Sequence, residues 1–314
     1  MPGMRREVDV MAARGLLFGL LAAVAAFPGA LLLAVAGQGI GALAGGCGWI
    51  GISTAVDRQV WALVNQPTLD FATELRSLGY WSGSVVLPLV VALAALPLLP
   101  RARTLAAELI LVHLTWACAV IGLAWLPLLD PLDGHLSRWL ELWRLPAPLL
   151  FLAPALAIPA ALPPTLRLLG LLRIGRPNTG RALRLATVML HLALPAAAWV
   201  AAAAALLGAP PASSALAVGA AVMVAVSTAW FGYPPAFVHR LRPLGLGSWL
   251  RMAALAAAAI AIVWLAGRPL PEGRRAGLLW AQPTASNNIR PWIDAVPLSD
   301  IARRLDPTPL PTRD

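Results

Sequence analysis

Apolar residues gather into seven long runs, at about 15–43, 84–99, 105–129, 145–166, 185–208, 214–231 and 252–267, separated by short polar stretches. Crossing about 30 Å of hydrocarbon takes about 20 helical residues, so this ladder predicts an all-α polytopic transmembrane bundle of about seven spans. The second and last runs are the shortest, and snorkelling by Arg251 and Arg268 extends the last. The run at 145–166 carries Pro146, Pro148, Pro154, Pro159, Pro163 and Pro164, which predicts a kinked or broken helix.

Between the first two runs, in a loop at about 44–83, apolar residues recur at helical spacing: Val56, Val60, Leu63 and Val64, then Phe71, Leu75 and Leu78. Two short interfacial helices are expected there, broken at Asn65-Gln66-Pro67, with Thr68 capping the second and Gly79 ending it. Trp49, Trp61, Tyr80 and Trp81 suit a head-group layer, because an aromatic body is apolar while its N–H or O–H stays wet.

Charge orients the ladder. If the N-terminus is cytoplasmic, thirteen of the 24 basic residues, all arginine, face the cytoplasm: Arg5, Arg6, Arg14, Arg101, Arg103, Arg167, Arg173, Arg176, Arg181, Arg184, Arg240, Arg242 and Arg251. Only Glu7 and Asp9 oppose them, so the positive-inside rule predicts N-in, C-out in a bacterial inner membrane. The formal charge of +10 is then a property of one face, explained by topology and anionic lipid head groups, and a nucleic-acid partner is not expected. With 59% hydrophobic and 12% charged residues, water is not the main solvent. Met1–Arg14 ahead of so long an apolar run reads as a signal anchor, with Ala34-Val35-Ala36 as an alternative cleavage site.

Residues 1–267 therefore form the membrane domain and 268–314 an external proline-rich tail. Trp280, Trp292, Ile293, Ile301 and Leu305 are its candidate docking residues for a membrane-protein partner, the last two on a short helix that Ser299-Asp300 can cap.

No complete catalytic, nucleotide or metal motif is present. Cys47 and Cys118 lack CxxC spacing, so neither a disulfide nor a thiolate metal site is expected. Gly175–Gly180 lacks the lysine of a P-loop and reads as a tight inter-helix turn. His113 and His191 each lie about two turns into spans of the same direction, which places them at similar depth. Paired imidazoles there can clamp a b-type haem or a chlorin, or serve a transporter; the plainer reading is a neutral histidine bonded to a neighbouring backbone.

Asp57, Leu69-Asp70 and Leu78-Gly79, followed by two spans, resemble the N-terminal half of the type 2 phosphatidic acid phosphatase superfamily over about residues 12–129. The resemblance implies a lipid-phosphate hydrolase with one histidine as nucleophile, another as acid, and cations on the phosphate. The loop after the third span offers Asp130-Pro131, Gly134-His135 and Ser137-Arg138, so His135, Arg138 and Arg144 are the candidate residues. The second outward histidine, the lysine and the downstream His and Asp of that pattern are missing, leaving nucleophile and acid unsupplied. Three functions follow: a non-catalytic, lipid-contacting subunit or assembly factor of a membrane complex, a divergent or degenerate lipid-phosphate phosphatase, or a transporter or pigment-binding protein.

Overall fold

The computed structural model describes residues 2–53, 61–65, 75–125, 152–171, 180–207, 211–231, 244–266 and 278–279, with backbone alone for 2–14 and for further positions inside the helices and strands, among them 61, 63–65, 75–78 and 202–207. These are mostly helical. Helix α1 (Pro2–Ala44) is followed by strands β1 (Gly48–Ser53) and β2 (Trp61–Asn65) and by α2 (Leu75–Ala95), which tightens into a 3-10 turn at Leu96–Arg101. Next come α3 (Leu105–Val120) with a π turn at Ile121–Trp125, α4 (Leu152–Leu171), and α5 (Arg181–Val188), joined through a π turn at Met189–Ala193 to α6 (Leu194–Leu207). Helices α7 (Pro211–Phe231) and α8 (Leu246–Ala266) and the two-residue strand β3 (Leu278–Leu279) complete the order.

Each apolar run found in the sequence overlaps one of these helices within the described residues. Among the described residues, four segments are long and apolar enough to cross a membrane: Leu17–Ala44, Ser82–Arg101, Leu105–Leu123 and Arg181–Ala201. Shorter apolar helices occupy Ala155–Leu171, Val218–Trp230 and Leu246–Ile262. Large side chains such as Leu93, Leu156, Leu250, Leu255 and Trp264 are exposed on the outside of the bundle, a surface suited to hydrocarbon rather than water. Helix α3 is the axis of the core, and Leu109, Val112, Trp116 and Ala117 on it are fully buried. Thr104 starts it as an N-cap, its hydroxyl accepting from the N–H of Ala107 at 3.2 Å.

The seam between α1 and α2 depends on glycine. Gly37 lies against the carbonyl of Gly83, and Gly41 against that of Gly79, so two Gly-x-x-x-Gly faces meet antiparallel with backbone touching backbone. Small residues are the usual means of close helix approach where lipid tails compete equally for apolar side chains. Gly79 was expected to end a short helix; instead it lies inside α2, where the lack of a side chain serves contact.

The loop at 44–83 also departs from expectation. Residues 61–65, assigned above to an interfacial helix, form strand β2, antiparallel to β1 in a sheet ordered β2-β1-β3. Tertiary contacts override the helical spacing. On the side of β2 away from β1, Gln38 Oε1 accepts from the N–H of Ala62 at 3.0 Å, and the Tyr80 hydroxyl donates to the Ala62 carbonyl, also at 3.0 Å. Side chains from α1 and α2 thus replace a further strand, and the fold is helical with a small sheet rather than all-α. Residues 54–60 and 66–74, which hold the rest of the two expected helices, lie outside the described residues.

Of the two outcomes expected for the proline-rich run, kinked or broken, the break does not occur within α4, which runs without interruption through Pro159, Pro163 and Pro164. Near these prolines the Thr165 hydroxyl donates to the Ala161 carbonyl at 2.8 Å, and Thr228 of α7 does the same to Val224 at 2.8 Å. The two hydroxyls stand 3.3 Å apart, a polar link across the α4–α7 contact.

Candidate functional site

Two polar layers cross the otherwise apolar interior. The first lies at the end of the bundle where α3 begins and α4 finishes. Glu108, in the first turn of α3, is wholly buried and accepts from Nε of Arg167 on α4, which is 5% exposed. Arg184 on α5 is buried as well. Arg167 and Arg184 were counted above as topology-setting charges; the structure puts both inside, Arg167 holding α3 to α4. A buried pair of this kind is costly to break from one side, because the remaining charge has no water to turn to.

The second layer is a turn or more further along the same helices. His113 of α3 and His191 of the π turn after α5 are neighbours, with ring centroids 6.5 Å apart and planes tilted by 41°. Both are buried, at 1% and 0% exposure. The equal depth read from the sequence therefore brings the two rings together. His113 Nδ1 lies 2.7 Å from the carbonyl of Leu109, which can only accept, so Nδ1 carries the proton and Nε2 presents a lone pair. Among the described residues, His113 Nε2 and both nitrogens of His191 are buried without a hydrogen-bond partner. One nitrogen of His113 is thus bonded to neighbouring backbone, and His191 shows no such bond among the described residues.

Local sequence explains where His191 sits. Pro195 has no N–H to offer the carbonyl four residues back, which belongs to His191. Just before it the ladder widens, and the N–H of Leu194 reaches back five residues to the carbonyl of Met189. Such single π turns recur at functional sites, where they turn one side chain out of helical phase. On the third side α1 passes the pair at Gly19: a Cβ there would stand 3.2 Å from His191 Nδ1 and 3.6 Å from His113 Cε1. The glycine lets α1 lie flush against both rings. Sequence reading missed it, although Gly15 and Gly19 are four residues apart in an otherwise bulky stretch.

Trp116 Nε1 and Thr115 Oγ1, also on α3, are buried without partners. The Trp116 ring packs edge-on against Phe27 of α1 at 5.8 Å, which accounts for its position. Among the described residues no three His, Cys, Asp or Glu side chains cluster as a metal site, and Cys47 and Cys118 are both buried and not joined in a disulfide.

The phosphatase candidates His135, Arg138 and Arg144 lie outside the described residues, as do the tail residues Trp280, Trp292, Ile293, Ile301 and Leu305. Comparison of the chain with protein-family models, curated proteins and solved structures gives no match.

Proposed function

We propose that this chain is a seven-pass bacterial inner-membrane protein, N-terminus inside and C-terminal segment outside, that serves as a non-catalytic binding subunit of a membrane complex. The paired imidazoles of His113 and His191 are its ligand-holding centre. The observation that carries the reading is the three ring nitrogens buried without partners. A polar group left unpaired in an apolar interior costs about 1–3 kcal/mol, so three at one spot mark a place where a ligand supplies the missing interactions. Nothing comparable among the described residues supports hydrolysis, and lipid contact follows from the apolar exterior.

Seven passes and the placement of both loops on one side are supported by the sheet. Strands β1 and β2 follow α1, while β3 follows α8, and all three belong to one sheet. An even number of crossings must therefore separate them, and α2, α3, α4, the α5–α6 pass, α7 and α8 supply six.

A small ligand fits better than a b-type haem or a chlorin. A macrocycle held between two imidazoles extends past the rings on every side, whereas α1 already touches both rings at Gly19. The test is isolation from the native membrane in mild detergent, followed by mass spectrometry, elemental analysis and absorbance. The expected result is co-purifying subunits and a bound species lost in the His113→Ala/His191→Ala double variant. A lone monomer with identical bound species in both forms would refute the reading.

A further inference from the structure

A direct N–H···N hydrogen bond of about 2.9 Å between two imidazoles sets their centroids about 5 Å apart. A metal ion held by one nitrogen of each, with bonds of about 2.0 Å, sets them about 6 Å apart. The observed separation is 6.5 Å, too long for the direct bond in any ring orientation, and it leaves room for one atom between the two imidazoles. His113 Nδ1 is committed to Leu109, which leaves Nε2, without a hydrogen-bond partner among the described residues, as the nitrogen that can ligate.

The surroundings select the charge and coordination number of that atom. No third His, Cys, Asp or Glu joins the pair among the described residues. The nearest acid along α3, Glu108, has its charge met by Arg167. Two neutral ligands in hydrocarbon cannot offset a divalent ion, and zinc, calcium and magnesium all require four or more donors. A monovalent d10 ion needs only two donors and carries half the charge. We propose that His113 and His191 form a two-coordinate site for a monovalent soft cation, Cu(I) in the cell, with Gly19 setting how closely α1 covers it; this rests on the paired-imidazole reading above. The π turn before Pro195 is then the device that turns His191 toward its partner.

The full-length chain in detergent, carrying Cys47→Ser and Cys118→Ser to remove thiol binding, is loaded anaerobically with Cu(I) and passed through gel filtration. Elemental analysis and copper-edge X-ray absorption should find one copper per chain with two nitrogen neighbours and no sulfur. His113→Ala and His191→Ala should each lower affinity by at least about ten-fold. Gly19→Leu keeps both imidazoles but crowds them, and should also weaken loading; it guards against a histidine variant that simply misfolds. Ag(I) should compete for the site and Zn(II) should not. Copper that survives both histidine changes, or Zn(II) displacing it, overturns the proposal. If the native-membrane protein instead carries another species that requires both histidines, and Cu(I) does not load, the paired-imidazole reading stands and the copper assignment falls. If neither copper nor any other species depends on the pair, both fall.

Discussion

Adding one methyl group to the α1–α2 seam gives a graded test of the glycine packing. A Cβ on Gly79 would stand 2.6 Å from the carbonyl oxygen of Gly41 and 3.2 Å from its carbonyl carbon. The closest comfortable carbon–oxygen approach between helices is about 3.3 Å, so the backbones must part by about 0.7 Å, and a carbonyl cannot rotate aside as a side chain would. Overpacking of this size costs about 1–3 kcal/mol. At Gly41 the approach to Gly79 is closer still, so Gly41→Ala belongs at or above the top of that range. Gly29 is the control: it lies in the same α1 helix with nothing within 4 Å of its would-be Cβ. There alanine only reduces backbone freedom, and a gain of about 0.5–1 kcal/mol is expected. Thermal unfolding in one detergent should rank the variants Gly29→Ala, wild type, Gly79→Ala, Gly41→Ala, from most to least stable. Equal midpoints for Gly41→Ala and Gly29→Ala would refute the contact.

Further outcomes follow from the polar layers and the sheet. Arg167→Met strands the buried Glu108 carboxylate and should cost about 3–5 kcal/mol, while Glu108→Gln in the same chain should recover much of it; a single variant as stable as wild type would contradict the pairing. Tyr80→Phe removes the donor to the Ala62 carbonyl and should cost about 1–3 kcal/mol in urea-monitored stability. Gln38→Leu should speed hydrogen exchange at the Ala62 amide specifically, and unchanged protection there would show that another group holds it. Pro195→Ala restores a donor to the His191 carbonyl and should close the π turn, lowering the yield of a disulfide engineered between positions 113 and 191. An alkaline-phosphatase fusion after Ala266 should be active and one after Phe231 inactive, the reverse pattern overturning the proposed orientation.

The helices were legible because length and apolarity are local properties. All seven runs found their helices, with ends displaced by a few residues, as at α4 and α8. Strand β2 was not legible, since Val60, Leu63 and Val64 fit a helix and the partners of Ala62 come from positions 38 and 80. The glycine seam was written in the sequence as Gly37-x-x-x-Gly41 and Gly79-x-x-x-Gly83, and reading Gly79 as a helix stop concealed it. The depth of the two histidines could be counted along their helices, but their proximity depends on how α3 and the π turn after α5 pack beside α1. Arg167 shows the limit of charge counting: an arginine near a helix end looks like a topology signal until its partner, 59 residues earlier, is known.

Strand β3 has a consequence for biogenesis. It pairs with β1 through Gly51 and Ile52, yet it is made more than two hundred residues later. The sheet therefore cannot close while the chain is still being inserted; a ribosome-bound intermediate holds only the β1–β2 hairpin. Under the proposed seven-pass topology, completion of the third strand reports that all later passes have been threaded in the correct sense, and a chain that missed one would leave Leu278–Leu279 on the wrong side of the bilayer, with no template to join.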